Sequence, residues 1–342
     1  MPFVATGESE PYEVAGSVEG LHAADAPVVV GDEIVVPHFD GLLEWRDRTT
    51  GGVVRSVDLE TTVHFARLIR GDLVVGASDP DSQGSNGDVL FVLDPATGSS
   101  RWELTHPQTF GAPVEVADRW WFKGNDEIVT VDPATRTVTS FSIASGTRTP
   151  IVVNERVVIV HDGQDSLESV LSVYDAETQQ LLGEQTIGVL ADQPAVADGL
   201  VWVSVRDRVD NVQKMLLIDI DPLEVVDQIP LVDAFDASEV FGQVWVQQIG
   251  DTQAITVVDP ASREIVDQLR FEGSVLDLTV FDGGVVVSEL IGEVDARYTI
   301  YDENRTELAV IDLPGRPQQL TVTDTAIWVG VSSPFSLMKI TR

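Results

Sequence analysis

ITVVDPASR, running from Ile255 to Arg263, is the stretch that decides the fold, because the same unit occurs seven times at a spacing of roughly forty residues. The other copies are LEWRDRTTG (Leu43 to Gly51), LFVLDPATG (Leu90 to Gly98), IVTVDPATR (Ile128 to Arg136), LSVYDAETQ (Leu171 to Gln179), LIDIDPLEV (Leu217 to Val225) and YTIYDENRT (Tyr298 to Thr306). The first half of each is apolar and β-branched, the composition of a strand buried on both faces. The aspartate that follows accepts a hydrogen bond from a backbone N–H two residues on, and a proline after it presets φ for a turn. Each unit therefore reads as a strand and then a turn.

Upstream of each copy lies a hairpin. A short apolar strand, such as Ala26–Val30 or Gln193–Ala197, runs into a turn marked by Gly31-Asp32, Gly71-Asp72, Asp198-Gly199 or Asp282-Gly283. The strand after that turn is the most hydrophobic in the unit. Trp121, Trp202, Trp245 and Trp328 hold one register in it, and Val35, Val74, Val158 and Val286 hold that register in the other units, which raises the number of copies to eight. Trp45 and Trp102 lie off this register. A fourth, more polar strand follows each aspartate turn. Four antiparallel strands per unit, in sequence order, describe a propeller blade. The last copy stops one strand short, and Tyr12 to Val18 is a strand with no partner before it. The expected fold is therefore all-β: an eight-bladed β-propeller of four-stranded antiparallel blades, its ring closed by the N-terminal strand joining the last blade. Residues 1–10 are expected to be a flexible tail and 11–342 a single propeller domain.

The composition bounds the partners. There are 56 acidic and 21 basic residues, only three of them lysines (Lys123, Lys214 and Lys339), for a formal charge of -35. Such a surface repels phosphate, which argues against nucleic acid and anionic membrane. The charge is spread along the chain, as either a solubilising surface or an adaptation to high salt would have it. No apolar run reaches the roughly 18 residues of a membrane span. Cysteine is absent, which removes disulfides, thiolate nucleophiles and cysteine-based zinc sites. The first residues carry no basic and apolar leader, so the chain is either cytoplasmic or lacks a leader already removed.

The "V-D-P-x-T-G" turns and "W-V" second strands resemble the YVTN and PQQ-like β-propeller repeats, and the resemblance covers essentially the whole chain. Relatives implied by it include scaffolds, assembly lipoproteins, sensor domains, lyases and quinoprotein dehydrogenases. Those dehydrogenases carry an adjacent-cysteine disulfide over the quinone, and this chain has no cysteine, so no PQQ is expected. The resemblance implies a non-catalytic binding or scaffold propeller with protein partners, exported or at the cell surface and monomeric as a domain. The alternative is a lyase or other metal-assisted enzyme working in the propeller funnel.

Local motifs add little. No GxSxG, GxxxxGK, GxGxxG or HExxH string occurs. Arg70-Gly71-Asp72 spells an adhesion tripeptide but falls on a hairpin turn. Asp79 to Asp88 begins like a calcium loop and then places Leu90 where a bidentate glutamate belongs. The turn aspartates Asp47, Asp94, Asp132, Asp175, Asp221, Asp259 and Asp302 are explained by turn chemistry. Five histidines remain, and in a blade all five map to the face opposite the Asp-Gly and Asp-Pro turns. His22, His64 and His106 precede the innermost strands of the first three blades and form the candidate site for a divalent metal. His38 and His161 end second strands near Asp40 and Asp162. No catalytic or cofactor-binding residue is assigned.

Overall fold

The computed structural model describes residues 12–19, 23, 25–78, 88–106, 110–124, 126–163, 168–190, 193–206, 212–249, 253–324, 326–332 and 336–341. The expected tail and all but the last residue of the calcium-like loop Asp79 to Asp88 lie outside them. Among the described residues, thirty-two strands form seven sheets, six of four strands and one of eight. Within each four-strand group the strands follow in sequence order, with one exception. In the last sheet the outermost strand is the N-terminal Glu13–Glu19, which pairs antiparallel with Ser336–Thr341 in a register running from Glu13↔Thr341 to Glu19↔Ser336. The pairing of first and last strands is thus observed.

The eight-stranded sheet departs from the expectation of separate blades. Its fourth strand, Leu181–Leu190, is ten residues long, and its last two residues, Val189 and Leu190, pair with Arg206 and Val205 of the next group. Extra length carries the strand past its own sheet and fuses two four-strand groups.

The chain divides into two compact units, one of residues 1–59 and 276–342 and one of residues 60–275. In both, the second and third strands are buried along their length while the fourth strands alternate. Val157 to Val160 are fully covered, whereas Val53–Asp58 and Ile265–Arg270 expose every other residue or more. That contrast is the mark of second and third strands sandwiched between neighbouring sheets, with the fourth strand meeting water; first strands such as Ser274–Phe281 are partly exposed as well. The tryptophans follow the same logic. Trp121, Trp202, Trp245 and Trp328 pair across to Val114, Ala195, Ser238 and Thr321 of their first strands, and all four are buried. Each hides roughly 150–250 Å², worth about 4–6 kcal/mol at the usual area coefficient. Trp45 is also buried, on a third strand under the Arg55 guanidinium, and Trp102 stacks on Trp120 at 5.8 Å between centroids.

The turns realise the aspartate pattern in six copies. Asp47 Oδ1 accepts from the N–H of Thr49 and Thr50, and Asp94, Asp132, Asp175 and Asp259 accept in the same way from the second and third residues after them. Asp302 accepts from Asn304 and Thr306. Asp221 is the exception. The strands Gln213–Ile220 and Leu223–Pro230 leave only Asp221 and Pro222 between them, joined by a cis peptide, and Asp219 is the residue that receives the turn N–H, from Asp221 at 2.9 Å. The first hairpins turn on paired positive φ angles, at Arg70 and Gly71 and at Asp198 and Gly199, as type I′ geometry requires. Arg70 of the adhesion-like tripeptide is engaged by Glu115 and Asp118.

Candidate functional site

Four of the five histidines lie among the described residues. His22 lies outside the described residues. His64 opens the second group on strand Val63–Ile69, one-third exposed, with Nε2 3.0 Å from Ser78 Oγ and 3.6 Å from Asp88 Oδ1. Asp88 is buried, and its other oxygen accepts the Phe110 N–H at 2.8 Å. The Asp88 carboxylate beside the ring raises the His64 pKa against the opposing pull of burial. Serine and aspartate both meet the same ring nitrogen, so this is no relay: a base in a triad needs the carboxylate on one nitrogen and the nucleophile on the other. His106 ends strand Ser100–His106, its Nδ1 3.7 Å from Glu127 Oε1 and its ring against Phe110. The two described members of the expected set thus answer to different carboxylates. Among the described residues no group of three or more His, Asp or Glu side chains is placed to hold a metal ion.

His38 and His161 do something else, which a comparison of blades explains. Both stand three residues beyond the tryptophan register, as do Gln248 and Glu289. Diagonally across on the third strand, opposite the residue two places earlier, lie Glu44, Ser172, Thr256 and Thr299, and each pair is hydrogen bonded, at 3.2, 2.9, 2.6 and 3.3 Å respectively. All four second-strand members are buried. In the other four groups the same two places are held by Ala77 and Phe91, Gly124 and Val129, Val205 and Leu216, and Val331 and Met338. A buried polar group without a partner costs on the order of 1–3 kcal/mol, so both places are polar or neither is. His38 and His161 are therefore interior residues of their sheets. The Glu44 carboxylate is shared, taking Arg46 Nη2 at 2.6 Å as well as His38. Burial lowers the His38 pKa, with Glu44 opposing.

Among the described residues, three clefts open to solvent. In the unit of residues 1–59 and 276–342, a cavity of about 830 Å³ is walled by Tyr12, Phe281, Val322, Ile327 and Ile340 with Asp282 and Asp324 also lining it. In the other unit, Arg156 separates a cleft of about 350 Å³, bounded by Leu182 and the Asp221-Pro222 turn, from one of about 280 Å³ bounded by Asn154, Glu155 and Glu177. Arg156 itself is paired with Asp175. Sequence reading passes over these residues, because nothing short of the pairing register reveals which turns become neighbours.

No protein-family model matches the chain, and no curated protein matches it. Solved structures do. BamB from Moraxella catarrhalis superposes with a TM-score of 0.70 at 12% identity, covering 97% of this chain and 100% of that one. Sqt1 from Saccharomyces cerevisiae gives 0.70 at 11% identity with the same coverage, and the computationally designed Ika8 protein gives 0.68 at 16%, covering 95% and 98%. At these identities the likeness carries the fold alone, and the fold of this chain is an all-β propeller built from four-stranded antiparallel units.

Proposed function

We propose that the protein is a non-catalytic binding scaffold whose eight four-strand groups close into an eight-bladed propeller of the YVTN and PQQ-like kind, exported or held at the cell surface. The observation that carries this reading is where the polar side chains go. His38, His161, Gln248 and Glu289 are committed to hydrogen-bonded pairs inside their sheets, while the clefts on either side of Arg156 are lined by carboxylates, turn residues and aliphatic side chains. Surfaces of that kind dock other chains through shape and charge and need no convergent catalytic set. The register of Glu13–Glu19 against Ser336–Thr341 supports closure of the ring.

The test is affinity capture from the source cell followed by reconstitution with the purified candidate. A stoichiometric complex with micromolar or tighter affinity is expected. Calorimetry run in parallel decides the alternative: heat with zinc that disappears in a His22→Ala, His64→Ala, His106→Ala variant replaces the scaffold with a metal-dependent site.

A further inference from the structure

A repeat array carries its own control, since a feature present in one copy and absent from the others is not required by the fold. The turn after the third strand is such a feature. Six copies close it with an aspartate-capped loop, and the copy at Asp221 and Pro222 closes it in two residues. This shortened turn, with Leu223, bounds the 350 Å³ cleft against Leu182 of the neighbouring group.

We propose that the two clefts on either side of Arg156 form one docking groove for an extended segment of a protein partner bearing lysine or arginine side chains, an assignment that rests on the scaffold reading above. Charge is the first argument. The groove presents Glu155, Asp175, Glu177 and Asp221 against the single guanidinium of Arg156, which Asp175 already engages, so three carboxylates are left facing outward. The second argument is the open edge. Strand Leu181–Leu190 pairs along one side with Ser169–Asp175, and on its other side only Val189 and Leu190 are paired among the described residues. An extended segment laid along that edge satisfies its backbone groups by adding a strand. Aliphatic contact is the third. Leu181 and Leu182 are 49% and 52% exposed beside the cleft, with Val225 at 42% on the strand beyond the short turn. A segment alternating aliphatic and basic residues sets one series on Leu182 and Leu223 and the other on the carboxylates. The charge of the clefts repels phosphate.

The test is fluorescence anisotropy at physiological salt with a labelled eight-residue peptide alternating valine and lysine, titrated with the full chain. Because a protein of charge -35 attracts any cation weakly, two triple variants with equal charge change are compared. The groove variant carries Glu155→Lys, Glu177→Lys and Asp221→Lys; the control carries Glu239→Lys, Glu264→Lys and Glu303→Lys at exposed positions elsewhere. Tenfold or greater weakening in the groove variant and less than threefold in the control is expected. Leu182→Ser, which leaves the charge unchanged, is expected to weaken binding at least threefold. Equal loss in both triple variants, or no measurable binding by the unmodified chain, overturns the groove. Reconstitution with the captured partner reports on the scaffold reading separately: a complex that survives the groove substitutions keeps the scaffold and removes this site.

Discussion

His38 and His64 sit on opposite sides of the ordinary imidazole pKa of 6.5, each because of what its ring faces. Burial dominates at His38, where Glu44 compensates only in part. The Asp88 carboxylate dominates at His64. An NMR titration of the ring carbons is therefore expected to show His38 half-protonated below pH 6.5 and His64 above it. Coincident midpoints refute both environments. The signs of the linked stabilities differ as well. The His64 contribution is fully present below the unfolded-state pKa and fades as pH rises through the raised folded value; at His38 stability is lost as pH falls through the unfolded value, where the unfolded chain takes up the proton more readily. Asp94 bounds the acid side: the Arg101 hydrogen bond and the turn N–H groups hold it at about 2, so its contribution is lost only as pH drops from the unfolded range toward that value. At this scale the sequence did not reveal that His38 and His161 are buried in their sheets, because nothing local distinguishes a ring that faces a loop from one that enters a sheet.

At the scale of the strand, the paired places beyond the tryptophan register form a two-letter rule, polar with polar or apolar with apolar. Thr256→Val is expected to cost about 1–2 kcal/mol, because Gln248 Oε1 loses the 2.6 Å bond and keeps only Gln268 at 3.1 Å. Adding Gln248→Val and placing leucine at 256 recreates the Val205 and Leu216 arrangement. That double variant, measured by urea denaturation, is expected to cost less than the sum of its single changes; strict additivity means that the two places act independently. The aspartate turns and the tryptophan register were legible in the sequence because each depends on a few adjacent residues. The polar pairs were not, since their members are separated by a variable hairpin loop and meet only once the register is known. Asp221 was misplaced for a related reason. The string Asp-Pro is shared with Asp94, Asp132 and Asp259, but where the flanking strands end decides which aspartate caps the turn, and here Asp219 does.

For the whole molecule, the charge of -35 sets the response to solvent. Self-repulsion among carboxylates is long-ranged in dilute buffer, and the screening length falls from about 10 Å at 0.1 M salt to about 3 Å at 1 M. The melting temperature is expected to rise by about 5 °C or more between 50 mM and 1 M potassium chloride. A flat profile assigns the acidity to solubility alone. The repeat architecture was readable from the opening motif outward, whereas the fusion of two four-strand groups was not, because the extra length of Leu181–Leu190 has no signature until its neighbour is in place. The last sheet carries a consequence for the making of the chain. Glu13–Glu19 and its partner Ser336–Thr341 are more than three hundred residues apart. At typical ribosomal speeds the earlier strand waits on the order of 20–60 s for its partner to be synthesised. Each of the other sheets has its strands close together in sequence and is free to assemble as it emerges; this one is left with an unclaimed edge until Ser336–Thr341 has been made, and that interval is when a nascent chain has most need of a chaperone.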